Sequence, residues 1–292
     1  MIAVNSNINQ FTPDSPALPT VWGLDPVQLY LRYWAALGVQ VVRQGERSQI
    51  VSHAELYLLT DRRPLVLFQL AEVLDVLNWI KPLVMFVRLR DPRFSGGRAL
   101  DRFESPDADE NDPGLCRVVL TPDIEVARLW QSAPDARTAW RRLRRFTPRH
   151  DRVTLSVAGR VFDSQRRNEI AMFARELVRS WKRPDAIVTR LDARGREAWL
   201  DKSAVIHRNV ELVGPVWIGA GRQLHGVERI VGPQILWDDG HARPALEAIQ
   251  WLEIEPAANK AAATDSITVD RSGGGGSLLR ASSRMLRKLM RS

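Results

Sequence analysis

Seven aliphatic residues recur at a strict six-residue interval late in this chain: Leu200, Ile206, Leu212, Ile218, Leu224, Ile230 and Leu236. A helix repeats its face about every 3.6 residues and a flat strand every two, so neither accounts for such a run. A parallel coil with three flat sides does. Each side spends six residues and turns one aliphatic inward, so every residue stacks on the one a full circuit later. The words repeat at that distance: Val213-Gly214-Pro215 returns 18 residues on as Val231-Gly232-Pro233. Ala204, Val210 and Val216 supply the small or β-branched positions near the corners, and Gly219 and Gly221 suit tight corners where a side chain would clash. A small β-sandwich is the alternative.

The segment Ser203-Ala-Val-Ile-His-Arg-Asn-Val-Glu-Leu-Val-Gly-Pro-Val-Trp-Ile-Gly-Ala-Gly221 resembles the hexapeptide-repeat, left-handed parallel β-helix of bacterial sugar-phosphate nucleotidyltransferases and sugar acyltransferases. Farther along, Trp237-Asp238-Asp239, Trp251-Leu-Glu-Ile-Glu-Pro256 and a basic tail are similar to soluble regions that accompany bacterial polyprenyl-phosphate sugar transferases. The resemblance implies a role in cell-surface polysaccharide assembly beside a membrane sugar transferase, a nucleotide sugar as candidate ligand, and a homo-oligomer. In acyltransferases of this type a β-helix histidine is the general base. That role falls to His207 and His225, one circuit apart; each follows an inward aliphatic and is therefore expected to face outward.

Residues 22–190 read as an α/β layered domain. Asp25-Pro26 opens a helix that Gly38 ends; strands are expected at Val39–Arg43, Glu55–Leu59, Leu65–Phe68, Leu83–Leu89, Arg117–Leu120, Val153–Val157 and Val161-Phe162. Further helices are expected at Gln69–Asn78, after Thr121-Pro122-Asp123, at Asp135–Phe146 and at Ser164–Trp181. Arg141, Arg142, Arg144 and Arg145 flank the inward pair Trp140 and Leu143, which makes them either a solvated face or a site for phosphate or an acidic partner. A nucleotidyltransferase needs a glycine-rich phosphate loop, and no strand here leads into one, so any such ancestry is degenerate. The acidic stretch Ser105–Gly114 lacks the alternating ligands of a calcium loop and reads as a surface loop, and no metal or cofactor is expected.

Net charge is +8, but six basic residues and no acid follow position 270, leaving only +2 for the rest. The sequence thus argues against general nucleic-acid binding. Residues 257–277, with Ser272-Gly-Gly-Gly-Gly-Ser277, read as a flexible linker. Residues 278–292 read as a basic amphipathic helix. Arg280, Arg284, Arg287, Lys288 and Arg291 are its cations and Leu279, Leu286 and Leu289 lie on its apolar side, a pattern suited to an anionic membrane surface or a partner's groove. Residues 1–21 read as a flexible tail without a secretory pattern, and the lone Cys116 fits a reducing cytoplasm, with the protein peripheral at the inner face of the membrane. The expected function is a non-catalytic scaffold of polysaccharide biosynthesis. The alternatives are an active nucleotidyltransferase or acyltransferase, or a protein-interaction module.

Overall fold

A computed structural model describes residues 18–94, 115–226 and 229–242. In chain order the elements are α1 (Pro26–Ala35), β1 (Val39–Arg43), β2 (Leu56–Thr60), β3 (Pro64–Phe68), α2 (Leu70–Ile80), β4 (Val84–Arg90), β5 (Leu115–Thr121), α3 (Ile124–Gln131), α4 (Ala136–Phe146), β6 (Arg152–Asp163) and α5 (Arg167–Ser180). Short strands follow: β7 (Leu191–Arg194), β8 (Ala198–Asp201), β9 (Val205–Ile206), β10 (Glu211–Val213), β11 (Val216–Ile218), β12 (Gln223–Leu224), β13 (Arg229–Val231) and β14 (Gln234–Leu236). The architecture is mixed α/β, with five α-helices among the described residues. No helix there is long and apolar enough to cross a membrane.

Local chemistry sets the helix starts. The Asp25 carboxylate accepts from Gln28 N while Gln28 reaches back to Asp25 N, and Pro26 occupies the first helical turn. Asp123 caps α3 by accepting from Glu125 N and Val126 N, and Asp135 caps α4 by accepting from Thr138 N.

The first six strands form one sheet in the order β1-β2-β5-β4-β6-β3. β1, β2, β4 and β6 point one way and β3 and β5 the other. Side chains alternate between two cores, as the pleat requires. Leu56, Leu58, Met85, Val87, Val118 and Leu120 join α1 and α5 on one face, while Tyr57, Leu59, Val84 and Val119 join α3 and α4 on the other. The two strands expected at 153–157 and 161–162 are one. Residues 152–158 of β6 pair with β4 and 159–163 with β3. Gly159 marks the transfer, where an added Cβ would press at 3.1 Å on both Leu67 O and Leu89.

In the C-terminal part, β8 pairs with β11 and β11 with β14, β9 with β12, and β10 with β13, all parallel and all offset by 18 residues, as in Leu200↔Ile218↔Leu236. The seven periodic aliphatics gather in one core with Ala204, Val210 and Val216. Gly214 takes the left-handed backbone (φ 79°), and an added Cβ on its repeat mate Gly232 would collide with Pro215 O.

This part is not a separate body. Trp199, Trp217 and Ile235 occupy stacked positions on the opposite side of β8, β11 and β14, and they belong to the same core as α1 and α5. Trp217 lies 4.7 Å from Trp22 and 5.7 Å from Trp181, ring centre to ring centre. The segment expected as a loose tail to residue 21 lies mostly outside the described residues, but Val21 at its end is fully buried. It pairs with Leu24 around a turn whose corners, Trp22 and Gly23, have φ of 58° and 78°. The Asp238 carboxylate holds that turn, accepting from Trp22 N, Gly23 N and Ala220 N, and Trp22 Nε1 donates to Ile218 O. The expected linker 257–277 and terminal helix 278–292 lie outside the described residues.

Candidate functional site

Sheets with parallel strands expose their binding chemistry at the carboxyl ends of those strands. Here the ends of β1, β2, β4 and β6 carry a dense set of charges that came from no local motif. Asp91, just after β4, has a fully buried carboxylate. It accepts from Arg93 Nε at 3.0 Å, Arg93 Nη2 at 2.6 Å, Arg93 N at 3.0 Å and Val161 N at 2.8 Å. Burial pushes its pKa up, but the Arg93 guanidinium and the Val161 amide outweigh that and hold it below the usual value. Arg93 also stacks 4.4 Å over Phe162. Asp163 accepts from Arg63 at 2.8 Å. Arg43 bonds Glu46 at 2.5 Å and donates to Arg62 O.

At this edge Arg43 Nε, Thr60 Oγ1 and Asp61 Oδ1 are buried with no hydrogen-bond partner among the described residues. Burial alone lifts Asp61 from 3.8 to about 6. The Cys116 thiol is pushed up by its own burial and then by the Asp61 charge, which makes it a poor nucleophile. The acidic stretch Ser105–Gly114 is outside the described residues, in the connection that leaves β4 and enters β5 at this edge. After β1, on the α3–α4 side, an open depression of about 640 Å³ is lined by Gly45–Gln49 and Gln131–Pro134. Gln131 Nε2 spans it to Ser48 O at 2.7 Å.

A testable consequence concerns Asp61. A carboxyl whose folded-state value is raised adds most to stability below its unfolded value, and that contribution is lost as pH rises through about 6. The Asp61→Asn protein is therefore expected to be more stable than the parent at pH 7, by up to roughly 3 kcal/mol. The gain should vanish near pH 4. Urea melts across this range check it, and a parent whose stability rises from pH 4 to 7 by the same route would contradict the assignment.

The residues expected from sequence fall elsewhere. His207 and His225 are exposed on the β9–β12 side, next to the stacked pair Ile206↔Leu224. Their rings meet Asn209 N and Gln223 Oε1, each at 3.4 Å, and among the described residues no carboxylate orients either one as a general base. Among the described residues no group of three His, Cys, Asp or Glu could hold a metal.

Arg141, Arg142, Arg144 and Arg145 are all exposed on α4, whose other face buries Trp140 and Leu143. The structure brings further cations to them that sequence spacing did not show. Exposed Arg149 and His150 sit in the 3₁₀ turn that follows, and Arg152 caps the helix by donating to Arg144 O and Thr147 O. Burial and then the charges of Arg144 and Arg149 lower the Arg152 pKa, a measure of how crowded these cations are. The tail residues Arg280, Arg284, Arg287, Lys288, Arg291, Leu279, Leu286 and Leu289 lie outside the described residues. No family model matches the sequence, and a search of curated proteins finds no relative.

Proposed function

We propose that this chain is a non-catalytic scaffold of bacterial cell-surface polysaccharide assembly, built around a short left-handed β-helix and acting beside a membrane sugar transferase. The carrying observation is the 18-residue register of three parallel ladders, one of which is sealed on its outer side by the α/β core. A hexapeptide coil of this sort serves enzymes as a platform for a histidine base, but here both histidines face solvent, and among the described residues no acid orients them. One hydrophobic core runs through the sheet and the short strands, and such an interlocked body is suited to positioning a partner.

The test is genetic and enzymatic together. Deleting the gene is expected to abolish surface polysaccharide, and a His207→Ala/His225→Ala chain is expected to restore it as fully as the parent. Undiminished polysaccharide after deletion would remove the assignment to this process. Failure of the double variant to restore it, together with nucleotidyl or acyl transfer by the purified parent, would replace the scaffold by the enzyme.

A further inference from the structure

The helix α2 is apolar along most of its length, yet its last turn leaves the core. Trp79 is 88% exposed and Ile80 51%. Only Pro82 and Leu83 separate its cap residue, the exposed Lys81, from β4. On the opposite face of the sheet, α4 ends with Phe146, itself 49% exposed, and only Thr147, Pro148 and the turn Arg149–Asp151 separate it from β6. β4 and β6 are parallel neighbours whose first residues pair, Val84↔Arg152. Two helices from opposite faces therefore deliver their carboxyl ends to one edge of the sheet. That edge gathers Trp79, Ile80 and Phe146 beside Arg144, Arg145 and Arg149.

The acids nearby are mostly engaged. Asp151 meets His150 at 3.4 Å, Asp123 caps α3, and Glu125 binds Arg128 at 2.5 Å, which leaves Asp75, one turn above Trp79, on the α2 side. Arg145 and Arg149 have no carboxylate within ion-pair distance among the described residues, and burial, then the charges of Arg144 and Arg149, lower the Arg152 pKa. The edge is thus apolar at its tip and positive around it.

We propose that this edge is a docking surface for an anionic lipid bilayer. Tryptophan prefers the bilayer interface, where its ring is apolar and its N–H stays wet, while flanking arginines meet the headgroups. An isologous contact with a second copy would press the arginine clusters against each other, and a nucleic acid has no use for an exposed isoleucine. The surface lies in the folded body, apart from the tail expected to bind membranes, and it does not depend on the assignment to polysaccharide assembly.

The test uses the full chain with Arg280, Arg284, Arg287, Lys288 and Arg291 replaced by glutamine, so that only the body can bind. With vesicles of equal parts phosphatidylglycerol and phosphatidylcholine, this chain is expected to co-sediment, and with phosphatidylcholine alone it is not. Trp79→Ser/Ile80→Ser should weaken partitioning roughly tenfold, and Arg144→Gln/Arg145→Gln/Arg149→Gln roughly a hundredfold. Brominated lipid should quench emission, and Trp79→Phe should remove the quenching while the chain still sediments. Trp79, Ile80, Arg144, Arg145 and Arg149 are exposed, so unchanged thermal melts are expected to accompany the losses. Absence of sedimentation, equal sedimentation of every variant, or dimerisation or duplex binding in its place would each overturn the proposal.

Discussion

Replacing Trp217 by alanine is expected to destabilise the protein by about 3–5 kcal/mol, the range for emptying a large buried aromatic site. The indole is fully buried and bridges Trp22 and Trp181. Its loss opens a cavity between the α/β core and the strands β8, β11 and β14. Other fastenings are left, among them Trp199 and Ile235 in the shared core, the Trp22 Nε1 bond to Ile218 O and the Asp238 carboxylate on the Val21–Leu24 turn. The parent should therefore unfold in urea as one transition, because one hydrophobic core runs through both parts. The variant should unfold at lower urea and can split into two steps. A loss below about 1 kcal/mol would mean that the site collapses around the missing ring and that the seam is not where the two parts are held.

The inner half of that seam was legible from the chain, and the outer half was not. Leu200, Ile218 and Leu236 belong to the run of period six, and the parallel pairs 18 residues apart stack them in one core. Their neighbours Trp199, Trp217 and Ile235 repeat at the same 18-residue distance, but on the opposite side of β8, β11 and β14, which those strands standing alone would expose to solvent. Those residues were the available signal that the face is covered. Capping chemistry was equally local, so the starts of α1, α3 and α4 lie where Asp25, Asp123 and Asp135 put them. β6 read as two strands because Ala158-Gly159 interrupts its apolar pattern, whereas the backbone uses that interruption to change partners from β4 to β3. The charge network at the carboxyl ends of the strands had no sequence signature. Asp91 and Val161 are 70 residues apart, and only the parallel pairing of β4 with β6 brings them together. The exposed end of α2 was hidden for the opposite reason, since Trp79 and Ile80 look like core until burial is known.

Asp91→Ala is expected to cost about 3–5 kcal/mol at neutral pH, as breaking a buried ion pair from one side does. The carboxylate is fully buried and its partner Arg93 is partly buried, so the variant takes the paired charge from a half-sheltered guanidinium that also bonds Val161 O and stacks on Phe162, and leaves Val161 N without its acceptor. The pH dependence has the opposite sign to that of Asp61. A carboxylate whose folded-state value is depressed contributes stability above its unfolded value, and the contribution is lost as pH falls through the depressed value. Asp91→Asn, which keeps the shape and removes the charge, should then be much less stable than the parent at pH 7 and approach it in strong acid. Asp61→Asn should be more stable at pH 7 and converge near pH 4. Two carboxylates at one edge of one sheet thus give melts that diverge from the parent in opposite directions. Denaturant midpoints measured for both variants across pH decide the matter, and an Asp91→Asn protein as stable as the parent at pH 7 would show that the Arg93 pair is no part of what holds β4 to β6.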